Sequence, residues 1–214
     1  STRKEPASVA DPPSRQPVFA RWIGAMPIVG AGAPLILSER PAGTIATVQA
    51  RRGRATDAAR AIGELTGVAV ADGPFHAGAA GRGVVGIGPG AWLYLDDAPG
   101  ADAALAAALS GCAAVFDQSA AYGLLRVEGP MAAALLGKGA FLDLDPSAFA
   151  QGAAATTVIA HVDAILWRPD DGFVVAVFRS YAESFWHWIE TAAAAMGCRM
   201  GRAPAAGGDS DGIG

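Results

Sequence analysis

The residues of this chain that could do chemistry are one glycine run, three histidines and a few paired acids. Gly81-Arg82-Gly83-Val84-Val85-Gly86 matches G-x-G-x-x-G letter for letter. Such a run holds a pyrophosphate when it follows a strand and opens a helix, because backbone N–H groups and the helix dipole then meet the phosphates. Here it leads into Val84 to Ile87, which reads as a strand, so its glycines are expected to serve a loop and not a cofactor. Gly30-Ala31-Gly32 lacks the third glycine.

His76, His161 and His187 fall in a predicted loop, strand and helix, and none has a Cys or His at ligand spacing. Each is expected to be a surface or hydrogen-bonded histidine. No serine occupies a G-x-S-x-G elbow. Asp96-Asp97, Asp143-Leu144-Asp145 and Asp170-Asp171 sit in predicted turns, where solvated, turn-forming carboxylates are the expected role. Cys112 and Cys198 are far apart and fit neither a metal nor a redox spacing, which points to inert thiols in a reducing, cytoplasmic setting. No catalytic residue, cofactor-binding residue or metal ligand is assigned to this chain.

The elements that would have to position such groups are those of a 214-residue chain, long enough for one domain or two small ones packed together. Sixteen Lys and Arg against twenty Asp and Glu give a net charge of −4, so the chain lacks the basic footprint of a nucleic-acid or anionic-membrane binder. Charged residues make up 17% and hydrophobic ones 52%, a thin polar cover that hints at burial against partners. Phe19 to Leu37 is the most membrane-like stretch, but Arg21, Pro27, Pro34 and several glycines break it as a spanning helix. The polar, Pro-rich segment before it has no signal-peptide layout.

Residues 1–40 are expected to be an extended, partly disordered arm, residues 41–196 a single α+β domain of two similar halves, and residues 197–214 a disordered tail. Thr44 to Ala50 alternates like a strand, and a helix from about Thr56 is stopped by Gly67. Val84 to Ile87 and Trp92 to Leu95 read as one interrupted strand or two short ones, followed by a helix from Asp102 to Leu109. The second half repeats the order: a strand Tyr122 to Glu128, a helix Met131 to Leu136, then strands Val158 to Trp167 and Phe173 to Arg179 joined by a Pro-Asp-Asp-Gly turn. Ser180 and Glu183 are spaced as a capping box for a last helix whose core stripe holds Phe185, Trp188 and Ile189. The strand–helix repeat predicts two ferredoxin-like halves sharing a sheet.

Trp186 stands about 100° from that stripe on a helical wheel, either a core rim or an anchor for a partner. The aperiodic segment Phe19 to Leu37 is either a strap across its own domain or an arm laid on another subunit. Trp22, Ile28, Leu35 and Trp186 are therefore the candidate partner-interface residues.

One further pattern runs through the second half. Leu125-Arg126-Val127-Glu128-Gly129-Pro130 is followed by Leu135-Leu136-Gly137-Lys138-Gly139, by Leu142-Asp143-Leu144-Asp145-Pro146, and by Phe149 and Gly152. Arg168, Phe173, Arg179-Ser180-Tyr181-Ala182 and Trp186-His187-Trp188 complete the series. In order and spacing these residues resemble the gamma subunit of heterotetrameric sarcosine oxidase, with a gapped likeness over roughly residues 44–196. Ala140 and Asp145 stand where that family commonly has Cys and His. The wider relatives are folate-binding proteins such as the glycine-cleavage T-protein, and the resemblance implies the fold of that protein's N-terminal folate-binding region.

The resemblance also implies a small structural subunit without flavin. Larger alpha and beta subunits, with a small delta subunit, would carry FAD, FMN, NAD and tetrahydrofolate. Their complex would demethylate sarcosine oxidatively to glycine, reduce oxygen to hydrogen peroxide and pass the one-carbon unit to tetrahydrofolate. The competing class is a free-standing folate-binding protein of the iron–sulfur repair or aminomethyltransferase type. Lys138-Gly139-Ala140-Phe141-Leu142-Asp143 departs from the repair-protein motif after its first two residues.

Overall fold

The computed structural model describes residues 17–23, 35–79, 81–170 and 172–196. In chain order these form α1 (Ala20–Ile23), β1 (Ile36–Glu39), β2 (Thr44–Ala50), α2 (Ala55–Thr66), β3 (His76–Ala79), β4 (Arg82–Gly88), β5 (Ala91–Asp96) and α3 (Ala101–Ala108). They continue as β6 (Ala113–Asp117), β7 (Tyr122–Glu128), α4 (Ala132–Gly137), β8 (Ala154–Ile159), β9 (Val162–Trp167), β10 (Phe173–Phe178), a 3₁₀ turn at Arg179–Tyr181 and α5 (Ala182–Ala194).

Period-two alternation along the strands decides the layering. In the first half Ile45, Val85, Leu93 and Leu95 point to one side, and Ala46, Val48, Val84, Trp92 and Tyr94 to the other. In the second half Leu124, Ile165, Trp167, Val174 and Ala176 alternate with Leu125, Val127, Leu166, Phe173, Val175 and Val177. Each set must leave water, and the chain does this with two antiparallel five-stranded sheets ordered β3-β4-β5-β2-β6 and β1-β7-β10-β9-β8. Their inner sets pack face to face. The outer set of the first sheet is covered by Ala58 and Ile62 of α2 and Leu105 of α3; that of the second by Leu135 and Leu136 of α4 and Phe185, Trp186 and Ile189 of α5. The resulting order is helix, sheet, sheet, helix.

The α+β class and the two similar halves agree with the sequence reading; a shared sheet does not. Residues 44–117 build the first sheet and residues 122–178 supply four strands of the second; each group of strands is apolar on both sides, and the inner sides bury one another. Ile36–Glu39, assigned above to the arm, forms β1 and pairs with β7, Ile36 opposite Glu128 and Leu37 opposite Val127. Three further differences have local causes. The stretch Val158 to Trp167 is two strands, broken where Ala160 and His161 take φ of 50° and 66°. Val84 to Leu95 is the β4–β5 hairpin, turned at Gly90 with φ +63°. Ser180 lies in the 3₁₀ turn and makes no cap; α5 begins at Ala182 without a side-chain cap bond.

Candidate interaction surface

The candidate surface residues start from Glu39 at the end of β1. Its carboxylate accepts the backbone N–H groups of Val18 and Phe19, which anchors the chain before α1 to the edge of the second sheet. Gly123 on β7 makes this possible, since a Cβ there would overlap Val18 and Phe19. Phe19 is fully buried, with its ring 6.3 Å from that of Trp186, and Trp22 stacks on Trp186 at 6.0 Å. Arg21 lies 3.9 Å over the Trp22 ring and forms an exposed ion pair with Glu183 at 3.5 Å.

This arrangement corrects the assignment of interface residues. Trp186 is 1% exposed and Leu35 is completely buried, both within this chain's own core, so neither offers surface to a partner. The physical reason is the width of the α5 stripe: Ala182, Phe185, Trp186, Ile189, Ala192 and Ala193 are all buried, a broad face that includes Trp186. Trp188 is the residue left half-buried. Trp22 keeps partial exposure, and Ile28 lies outside the described residues. In its described parts, the segment from Phe19 to Leu37 straps its own domain.

The large apolar side chains left in water are others, and the sequence reading did not single them out. Phe141 is 83% exposed, Phe116 54% and Tyr181 50%. Phe116 sits on β6, an edge strand, and faces the inner side of its sheet beyond the part that the second sheet covers. Phe178 stacks on Tyr122 at 4.6 Å, and burial raises the Tyr122 hydroxyl's pKa. The period-two pattern could have exposed Phe116, because Val115 takes the helix side and leaves Phe116 on the opposite one.

The groups with chemical potential mostly serve packing. Gly81–Gly86 runs from a turn into β4, and a Cβ on Gly86 would strike the carbonyl of Gly73. The glycine there permits close backbone approach, and the run enters a strand where a dinucleotide cradle would open a helix. His76 is on β3, not in a loop. Burial, then the Arg40 charge, lower it to about 4, with Asp170 opposing, so it is neutral at physiological pH. His161 sits in the β8–β9 turn instead of a strand, and His187 is exposed on α5, 4.0 Å from Glu190. Cys112 is buried and its thiol donates to the Leu109 carbonyl at 3.3 Å.

Asp96 is not a solvated turn carboxylate. It is buried at the end of β5 and accepts the Tyr94 hydroxyl at 2.6 Å, the Ala98 N–H at 2.9 Å and Arg82 Nε at 3.0 Å. Burial would raise its pKa, but these three donors outweigh it and hold the carboxyl below its ordinary value. Asp145 is an exposed turn acid as expected; the Ser147 hydroxyl and N–H lower its pKa. Among the described residues no group of three or more His, Cys, Asp or Glu could hold a metal, and no helix is long and apolar enough to cross a membrane.

Residues 86–195 match the profile of the sarcosine oxidase, gamma subunit family. The sarcosine oxidase subunit gamma of an Arthrobacter species is 33% identical over 162 residues, covering 74% of this chain and 79% of that one. The chain belongs to the sarcosine oxidase gamma subunit family. The subunit gamma of Corynebacterium sp. strain U-96 is 36% identical over 76 residues, 35% of this chain and 37% of its own. Among solved structures, a chain of the heterotetrameric sarcosine oxidase from Corynebacterium sp. U-96, in complex with pyrrole 2-carboxylate, superposes with a TM-score of 0.72. It has 27% identity, over 88% of this chain and 99% of that one. The glycine cleavage system aminomethyltransferase T from Bartonella henselae superposes at 0.54 with 14% identity over 81% of this chain and 48% of its own, a likeness of fold.

The residues that carry the family likeness hold elements together in this subunit. A Cβ on Gly139 would lie 2.6 Å from the Trp188 ring, so the Lys138-Gly139 pair lets the chain pass under α5. Arg179 donates its N–H to the Ala121 carbonyl at 2.7 Å and its Nε to Ala120 at 3.1 Å, which ties the end of β10 to the β6–β7 link. Gly129, at φ +100°, turns β7 toward α4, and its carbonyl accepts the Ala132 N–H.

Proposed function

We propose that this chain is a structural, non-flavin gamma subunit of a heterotetrameric sarcosine oxidase. The single observation that carries the reading is the superposition on 99% of a chain from such an assembly, with the family match over residues 86–195 behind it. In this reading the larger alpha and beta subunits and a small delta subunit hold FAD, FMN, NAD and tetrahydrofolate. The complex removes two electrons from the N-methyl group of sarcosine, giving glycine. The electrons reduce O₂ to H₂O₂, and the one-carbon unit passes to tetrahydrofolate. This reading places the assembly in the cytoplasm, where a reducing medium keeps the buried Cys112 a thiol. This chain's part is to present a rigid surface, and the exposed Phe116, Phe141 and Tyr181 are the aromatic side chains available for it.

The experiment is purification of the tagged full chain from its host, with identification of co-purifying subunits and an absorbance spectrum of complex and lone chain. Co-purification with two larger flavin-bearing subunits, and a lone chain without flavin absorbance, is the expected result. Stoichiometric flavin on the lone chain overturns the non-flavin role. A chain recovered alone while sarcosine oxidase activity elutes elsewhere overturns the assembly.

A further inference from the structure

The inner face of the second sheet is apolar over its centre and carries arginine at one end. Register places Ala154, Trp167, Val174, Arg126 and Ser38 in one row across β8, β9, β10, β7 and β1, and Arg126 is thereby an arginine facing the other sheet. Arg40 follows β1 two residues beyond Ser38, its backbone N–H bonded to the Leu124 carbonyl, so it continues the same side. Opposite, the first sheet carries no side chain at Gly78 and Gly83, which are paired neighbours on β3 and β4. A Cβ on Gly83 would lie 3.7 Å from His76 Nε2 and 3.8 Å from Arg40 Nη2, so imidazole and guanidinium meet over that glycine. The His76 ring in turn stacks on Trp167 at 6.1 Å.

The two arginines are not equivalent. Arg126 is paired twice, with Glu128 at 2.9 Å and Asp170 at 2.6 Å. Arg40 has no hydrogen bond or ion pair on its guanidinium among the described residues, and only Asp97 acts on it favourably from longer range while Arg126 repels it. Burial opposes its charge. A guanidinium partly withdrawn from water, with five donors that no described residue accepts, is a costly group to leave without a ligand.

We propose that Arg40, beside His76 and over Gly83, receives one carboxylate that enters between the two sheets. The planar fork of Arg40 fits a carboxylate through two parallel N–H donors. A single negative charge is what the surroundings allow, since Asp97, Asp170 and Glu128 already lie nearby and would repel a dianion. Neutral His76 supplies a hydrogen bond without adding charge. The carboxylate comes from a small free acid or from an acidic side chain or C-terminus of a partner subunit; the second source rests on the function proposed above.

The test uses the full chain and the variants Arg40→Gln and Arg40→Lys, the latter keeping charge and stem while losing the fork. Thermal midpoints are compared in sodium acetate and in sodium chloride at matched ionic strength, and each variant is co-expressed with the larger subunits. A midpoint raised by acetate over chloride in wild type, and raised in neither variant, establishes a free carboxylate. No acetate effect, with both variants recovered in the assembly at least tenfold less than wild type and Arg40→Lys keeping the wild-type midpoint alone, assigns the carboxylate to the partner. No acetate effect together with normal assembly of the variants overturns the proposal. If Arg40→Gln does not fold, Arg40→Lys alone decides both arms. Failure of wild type itself to assemble refutes the subunit reading instead, and the acetate comparison then decides the site.

Discussion

Trp22 lies flat on Trp186, the ring centroids 6.0 Å apart and the planes 12° from parallel. Phe19 closes the same cluster from the side, at 6.1 Å from Trp22 and 6.3 Å from Trp186. Phe19 and Trp22 thus cover Trp186 of α5 from within the same chain. The anchoring is polar as well as apolar, through Glu39 and the N–H groups of Val18 and Phe19.

Replacing Trp186 by Ala therefore destabilises the lone chain, by about 3–5 kcal/mol as for other fully buried large aromatics. Trp22→Ala costs less, because Trp22 is half-exposed. A double-mutant cycle between them gives a coupling of about 0.5–1.5 kcal/mol. Denaturant unfolding of the four proteins measures both quantities. Trp186→Phe is milder than its volume suggests, since it removes a buried indole N–H that has no hydrogen-bond partner among the described residues. An unchanged unfolding midpoint for Trp186→Ala would place that ring outside the core.

Gly139→Ala tests the passage of the α4–β8 connection beneath α5. The new methyl would sit 2.6 Å from Trp188 and 3.0 Å from the Ala160 nitrogen, which itself donates to the Gly139 carbonyl. One side is a stiff ring and the other is backbone, so the strain cannot be relieved by a flexible chain end. The expected loss is about 1–3 kcal/mol, the range for overpacking, together with a changed near-UV circular dichroism signal from Trp188. A variant with wild-type stability and spectrum would mean that this crossing is loose.

Strands with strong alternation and clear turns were legible from the sequence: β7 runs from Tyr122 to Glu128, and β10 starts at Phe173, both as the pattern predicts. What was not legible depends on distant residues. β1 is only four residues long and acquires its role by pairing with β7, 86 to 92 positions away, which leaves no local period to read. The phase of α5 was misplaced because Phe185, Trp188 and Ile189 also make a narrow stripe, and the cover over Trp186 comes from Phe19 and Trp22. Arg40 carries no motif at all; its position between the sheets follows only from register and from the missing side chain of Gly83.

His76 gives the fold a pH dependence with a definite sign. Its pKa falls from 6.5 to about 4 on folding, so the folded chain resists a proton that the unfolded chain accepts. The stability linked to this group is complete above pH 6.5 and is lost as pH falls toward 4. Arg40 works against the imidazolium and Asp170 for it, while the Trp167 ring covers one side. The thermal midpoint of wild type should decline through that window more steeply than that of His76→Gln. Parallel curves for the two proteins would show that His76 titrates alike in both states.

The β8–β9 hairpin stores strain that substitution can release. Ile159 pairs with Val162, which leaves Ala160 and His161 as the two-residue turn, and both have positive φ. Such a turn matches the twist of antiparallel strands and is normally filled by Asn-Gly, because an L side chain at positive φ costs about 1–2 kcal/mol. Ala160→Asn keeps the N–H that bonds Gly139 and tolerates the left-handed region better. His161→Gly removes the second clash, although glycine's freedom in the unfolded chain returns about 0.4–1 kcal/mol of the gain. The double variant should be more stable by about 1 kcal/mol, a rise of roughly 2–4 °C for a chain of this size. Ala160→Val, with its branched Cβ, should fall below wild type in the same thermal scan. If the order of the three proteins were reversed, the turn would not have the backbone described here.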